Sequence, residues 1–180
     1  EEKRTVGPTL GSDSLAKSLK AGVIGIIMIL VFMIGYYRVP GTVAAVSLVL
    51  YACIVLWVLV LLNATLTLPG IAGFILSIGM AVDANIIIYE RIKDELRHGK
   101  TLKAGIESGF SRAFWTIFDA NLTTLIAAGV LMFFGAGPIK GFAVTLSIGI
   151  IASMFTAITF TRWILKMVSD LFKKTELYVA

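Results

Sequence analysis

Residues 69–89 read PGIAGFILSIGMAVDANIIIY, twenty-one residues with a single charge, Asp83, and no alternation of polar and apolar positions. A helix needs about 20 mostly apolar residues to cross the ~30 Å hydrocarbon core of a bilayer. A continuous run of this kind also lacks the two-residue alternation of a membrane β-barrel strand. The same pattern recurs on both sides. Residues 21–37 lie uncharged between Lys20 and Arg38, and 42–62 follow a Pro-Gly turn. Residues 113–139 carry one charge, Asp119, and 141–161 carry none before Arg162. The sequence therefore predicts an all-α membrane protein with five transmembrane helices, at about 21–37, 43–62, 69–89, 114–134 and 141–163.

Composition excludes the main alternatives. Of 180 residues, 58% are hydrophobic and 15% charged, with a mean hydropathy of +0.92. A water-soluble domain carries roughly a quarter charged residues, so this chain cannot cover such a surface. One cysteine, Cys53, rules out a disulfide framework and a cysteine-based zinc site, and no metal site is expected. His98, the one histidine, reads as a solvated loop residue. Gly99-Lys100-Thr101 resembles the end of a phosphate-binding loop, but the glycine needed five residues earlier is Asp94. No nucleotide or other cofactor is expected.

The +5 net charge is a matter of topology. With the N-terminus outside, eleven of the sixteen Lys and Arg fall in the inner segments: Arg38, the connector 90–113 and the C-terminal stretch from Arg162 through the tail 167–180. Five remain outside, Lys17 and Lys20 among them. The excess predicts an outside N-terminus and a cytoplasmic C-terminus, and suits anionic lipid rather than nucleic acid. The chain opens at Glu1 without Met or a signal pattern, so an upstream helix of a longer protein is expected. Residues 1–20 read as an extended extracytoplasmic linker, with Ser12 or Asp13 capping the first helix. The connector 90–113 is expected to form one or two short interfacial helices. Gly135–Gly141 reads as a tight outer reversal. Small residues recur every four positions at Gly73, Ser77, Ala81 and Asn85, and again at Gly141, Thr145, Gly149 and Ser153. Such stripes are packing seams between membrane helices.

The spans hold two carboxylates. Asp83 lies seven residues before Glu90, and Asp119 seven residues after Arg112. At 1.5 Å per residue both sit roughly 10 Å from the inner ends of their helices, at matched depth on antiparallel neighbours. Each opens the same triplet, Asp-Ala-Asn, at 83–85 and 119–121. A charge near a helix centre costs about 2.5–3.5 kcal/mol on insertion scales, so its presence calls for a role. A carboxyl group shielded from bulk water can take up and release a proton near neutrality. Asp83 and Asp119 are thus the candidate proton carriers, with Asn85, Asn121, Thr123 and Thr124 as supporting polar groups. Glu90 and Arg91 are a candidate ion pair at the inner end.

At these residues the chain resembles the SecD family of protein-export subunits. The similar stretches are Arg4–Gly11, Thr65–Gly73, Gly79–Asn85, Glu90–Ile92, Asp119–Thr124 and Gly137–Phe142. The resemblance implies half of a resistance-nodulation-division helix bundle, following a first helix and a large outer domain. It implies a non-enzymatic accessory of the bacterial Sec translocon, in the cytoplasmic (inner) membrane, using the proton motive force late in translocation. The implied partners are SecF or a fused SecF half, the SecYEG channel and translocating preproteins. It also implies that Asp83 is the residue concerned with proton use. Many members carry an Asn in the second of these helices, where this chain has Tyr51 and Cys53. Three other readings are a proton-coupled exporter of small molecules or lipids, an intramembrane aspartyl protease and a scaffold without coupling. The protease reading lacks its Gly-x-Gly-Asp motif, since Ala-Val precedes Asp83 and Ile-Phe precedes Asp119.

Overall fold

A computed structural model describes residues 8–64, 67–171 and 178, with side chains from Leu15 onward. The described residues are helical almost throughout. The elements are α1 (Pro8–Leu61), α2 (Leu68–Arg97), α3 (Leu102–Phe134), α4 (Pro138–Phe155), a π-helical turn (Thr156–Thr161) and α5 (Arg162–Leu171). Among these residues four helical stretches are long and apolar enough to cross a membrane: Leu15–Leu61, Leu68–Arg97, Leu102–Phe134 and Pro138–Asp170.

The first stretch is broken in two. Arg38 leaves helical geometry, with φ 51° and ψ −110°, and Pro40 and Gly41 follow it. Gly41 is required there, because a Cβ would collide with the Met33 carbonyl. Neighbours on α2 give the direction of each arm. Before the break, Gly22 faces Ile75 and Tyr37 bonds Glu90, so the first arm runs parallel to α2. After it, Tyr51 bonds Ser77 while Ser47 shares a partner with Asn85, so the second arm runs antiparallel. That arm ends at Asn63 in the left-handed region (φ 49°), and Ala64 N–H returns to Leu59 O at 3.0 Å. This is the Schellman closure that Asn tolerates.

α2 packs most extensively against α4, along the two small-residue stripes. Gly73 meets Phe142, and Ser77 sits against Gly149 so closely that a Cβ there would overlap its hydroxyl. Ser77, Ala81, Asn85, Thr145 and Ser153 are all buried. Glycine lets backbones approach where lipid gives no hydrophobic incentive for helices to associate. α3 crosses α2 antiparallel: a Cβ on Gly109 would lie 2.8 Å from Ile92 N, and one on Gly105 would lie 2.8 Å from Leu96 Cδ2.

Charged side chains gather at one end of the bundle. Glu95, 3% exposed, bonds Lys100 at 2.5 Å and Arg112 at 2.9 Å across the α2–α3 turn. Glu107 on α3 receives Arg162 at 3.3 Å and Lys166 at 3.2 Å, and Lys103 meets Asp170 at 2.6 Å. The sides of the bundle are apolar, with Val31, Trp57, Trp115, Phe133 and Trp163 all exposed.

Two expectations about segment boundaries are corrected. Residues 8–20 are helix rather than extended linker, and Ser12 and Asp13 lie inside α1 rather than capping it. The 90–113 connector holds no separate interfacial helices: α2 runs on to Arg97 and α3 begins at Leu102. One physical reason covers both. Charges mark where hydrocarbon ends, whereas a helix closes its own hydrogen bonds and can continue into water, with Lys and Arg stems lying along it. In the same way α5 carries helix to Leu171, into the expected tail. His98, exposed in the turn after α2 as expected, is also the C-cap of that helix, its Nδ1 2.7 Å from Asp94 O.

Candidate functional site

Helical period sorts the polar residues of α2 onto two faces. Asp83 and Asn85 are two residues apart, so their side chains leave the axis about 160° from each other. Asn85 takes the inner face and Asp83 the outer.

On the inner face Asn85 is 4% exposed and its Nδ2 donates to Ala81 O at 3.1 Å. That bond aims Oδ1 at Thr161, whose Oγ1 is 3.1 Å away. Thr161 also reaches Ser47 Oγ at 2.9 Å and its own turn's Thr156 O at 3.1 Å. Farther out along α2, Ser77 donates to Phe74 O at 2.7 Å and therefore accepts from Tyr51, 2.6 Å away. Two polar clusters thus join the second arm of α1 to α2, one of them through the π-helical turn.

Asp83 points the other way and is exposed on the bundle. With Met80, Ala84 and Ile87 it forms one wall of an open groove of about 200 Å³ between α2 and α3. Ile117, Ala120, Asn121 and Thr124 form the other wall. Asn121 is buried and fixed by donation from Nδ2 to Ile117 O at 2.8 Å. Thr124 donates to Ala120 O at 3.1 Å, which leaves its oxygen as an acceptor toward the groove. A carboxyl group here has an amide and a hydroxyl opposite and an opening to the outside. That arrangement is unlike a buried aspartate tied to backbone donors.

The antiparallel crossing of Ile92 on Gly109 and Leu96 on Gly105 carries Asp83 and Asp119 to nearly the same level. Asp119 is exposed too, but it does not line the groove. The residues facing Asp83 across it are Asn121 and Thr124. Thr123 is exposed and donates to Asp119 O at 2.9 Å, turned away from the groove like Asp119.

The expected Glu90–Arg91 pair does not form. Adjacent helical residues point about 100° apart and do not face each other. Glu90 instead accepts a hydrogen bond from the Tyr37 hydroxyl at 3.0 Å, linking the charged end of α2 to the end of the first arm of α1. Arg91 is exposed. Ser47 and Thr161 are polar groups of the site that carry no sequence-based expectation. The available signal was Ser47 one turn before Tyr51, which places two polar side chains on one face of an otherwise apolar arm. Thr161 gave none, since its position depends on a π-turn.

Three comparisons bear on this arrangement. Residues 1–170 match the family described as protein export membrane protein SecD/SecF, C-terminal. The protein translocase subunit SecD of Acidaminococcus fermentans is 60% identical over 164 residues, covering 91% of this chain and 39% of that protein. The subunit of the same name from Synechocystis sp. is 56% identical over 167 residues, covering 93% and 35%. The chain thus spans little more than a third of the curated relatives it matches. Among solved structures, SecDF of Thermus thermophilus, a translocon-associated membrane protein, superposes with a TM-score of 0.91 at 42% identity. That match covers 94% of this chain and 24% of SecDF. A second crystal structure, of SecDF in a super-membrane-facing form, gives a TM-score of 0.87.

Proposed function

This chain belongs to the SecD/SecF protein-export membrane protein family, and from that premise we propose that it is the membrane-embedded, proton-responsive part of an export accessory subunit. The subunit lies in the bacterial cytoplasmic membrane and uses the proton motive force to promote late stages of preprotein translocation. It acts without catalysing a covalent reaction. Its five crossings are the two arms of α1, α2, α3, and α4 continued through the π-turn into α5. The excess of Lys and Arg at the charged end supports a cytoplasmic placement of that end, with the N-terminus outside. Anionic lipid headgroups then surround the basic rim.

The observation that carries the reading is the placement of Asp83. It lies within an apolar span, exposed to a groove rather than fixed in the core, and opposite Asn121 and Thr124. A proton crossing the membrane potential releases about 2.3 kcal/mol per 100 mV, enough to shift a two-state equilibrium by about fiftyfold. Protonation removes the charge of Asp83 and with it the need for a hydrated groove. α2 and α3 can then close against each other or against a partner half. SecF, separate or fused, is the partner that covers this face, and SecYEG with its translocating preprotein is the assembly served. Asp119, at the same depth but off the groove, is a secondary carrier.

The test is Asp83→Asn in the full-length protein with its partner, in vesicles carrying the translocon. The variant should insert and assemble normally while losing the export that depends on the gradient. Undiminished gradient-driven export would remove Asp83 from the mechanism.

A further inference from the structure

The Thr161 hydroxyl has more acceptors than it has hydrogens. Ser47 Oγ, Asn85 Oδ1 and Thr156 O all lie within 3.1 Å of Oγ1, and Thr161 itself is 0% exposed. A threonine hydroxyl donates one hydrogen and accepts with its two lone pairs. Only one of the three bonds can therefore carry its proton at a time, while Ser47 can donate to it in turn. The arrangement exists because residues 156–161 form a π-turn. In an α-helix a threonine hydroxyl reaches back to the carbonyl four residues earlier, here Ala157. The wider turn brings in the carbonyl of Thr156, five residues back. Single π-turns within helices recur at functional positions.

The three oxygens belong to three different parts of the bundle: the second arm of α1, the α2 helix and the π-turn itself. Asn85 is the α2 member, and its amide is already oriented by Ala81 O. Its position is about 160° around the axis from Asp83. The bond from Thr161 therefore holds the back of the helix whose front carries Asp83, and so sets which way Asp83 faces.

We propose that Thr161 is a positioning residue for Asp83, a pivot that fixes the rotational setting of α2 and lets it change. When α2 turns or slides, the hydroxyl gives its hydrogen to Thr156 O in place of Asn85 while it goes on accepting from Ser47. No buried donor loses its partner in either setting. An unpartnered buried polar group costs about 1–3 kcal/mol, so a hydroxyl with spare acceptors lowers the cost of moving between settings. Thr161 touches neither Asp83 nor the groove and acts only through Asn85. The inference rests on the reading of Asp83 as the proton-carrying group.

The experiment compares Thr161→Val, Thr161→Ser, Asn85→Ala and Asp83→Asn in the full-length protein with its partner, in translocon-containing vesicles. The readout is the ratio of gradient-stimulated to gradient-independent export per assembled molecule. A residue that only stabilises the fold changes the assembled amount and leaves this ratio alone. Thr161→Val, which keeps the shape and deletes the hydroxyl, should lower the ratio about three- to tenfold, with Thr161→Ser restoring it to within about twofold of wild type. An unchanged ratio in Thr161→Val, or in Asn85→Ala should the first variant not assemble, overturns the pivot. Equal loss in Thr161→Ser and Thr161→Val overturns it too. A full ratio in Asp83→Asn overturns the reading of Asp83 itself, a separate result from the failure of Thr161.

Discussion

Tyr51 Oη lies 2.6 Å from Ser77 Oγ, and the two sides of that bond are unequally provided for. Ser77 has a second partner in Phe74 O, whereas Tyr51, 1% exposed, has this one alone. Tyr51→Phe leaves Ser77 satisfied and should cost about 0.5–1.5 kcal/mol. Ser77→Ala strands a buried phenol and should cost about 1–3 kcal/mol, more than its partner's substitution. Thermal unfolding of the full-length protein in detergent checks the order, and the reverse order would contradict the bonding described.

Two glycine substitutions should separate packing from helix propensity. A methyl group at Gly109 would lie 2.9 Å from Ile92 Cα, where only a backbone shift can relieve the clash, while one at Gly129 meets nothing within 4 Å. Gly109→Ala should destabilise by about 1–3 kcal/mol. Gly129→Ala should be neutral or stabilise by up to about 1 kcal/mol, because alanine favours helix. The same thermal measurement, run on both, tests the pair.

The buried Glu95 carboxylate makes the inner hairpin sensitive to acid. Its hydrogen bond from Lys100 above all, with help from Ser108 and Arg112, holds its carboxyl below the ordinary glutamate range. A lowered folded value means the stabilisation is complete above the ordinary glutamate range and is lost as pH falls through the folded value. Amide exchange at residues 95–112 should accelerate in that acid range in the wild type. Glu95→Gln should remove this acid-induced step and leave exchange already fast at neutral pH.

Deleting Ile158 should convert the π-turn to α-helix and leave everything after it in register, because the wider turn absorbs about one residue more than an α-helix needs over the same rotation. Arg162 and Lys166 would then still converge on Glu107. Crosslinking of Glu107→Cys to Lys166→Cys by a short bifunctional thiol reagent should succeed equally in the otherwise native chain and in the deletion.

What the sequence revealed follows from what kind of force each feature depends on. Apolar run length made the all-helical, membrane-suited architecture legible, because burial in hydrocarbon is a property of composition. The stripes through Ser77 and Gly149 were legible for a similar reason: small residues at a four-residue spacing have one geometrical use. The helix ends were not legible, since Lys20 and Arg91 report the edge of the hydrocarbon while helix continues past both. The expected Glu90–Arg91 pair failed on rotation about a helix axis, a factor that proximity in sequence ignores. Matched depth of Asp83 and Asp119 was legible by counting. Which of them lines the groove depends on the azimuth of α3, set by the close approach of Gly109 to Ile92. The partnership of Thr161 with Asn85 depends on one extra residue per turn in six, which no apolar pattern encodes.

Several hydroxyls in the spans spend their hydrogen on their own helix: Thr123 on Asp119 O, Thr124 on Ala120 O, Thr145 on Gly141 O and Ser147 on Ala143 O. A threonine so engaged shows its surroundings chiefly a methyl group. Thr123, though it faces outward, is disguised as a small aliphatic residue, and the hydration it would otherwise demand is supplied from within. Fatty acyl chains around this protein therefore meet a greasier exterior than a residue-by-residue polarity scale would assign, and Asp83 stands out from that exterior the more sharply.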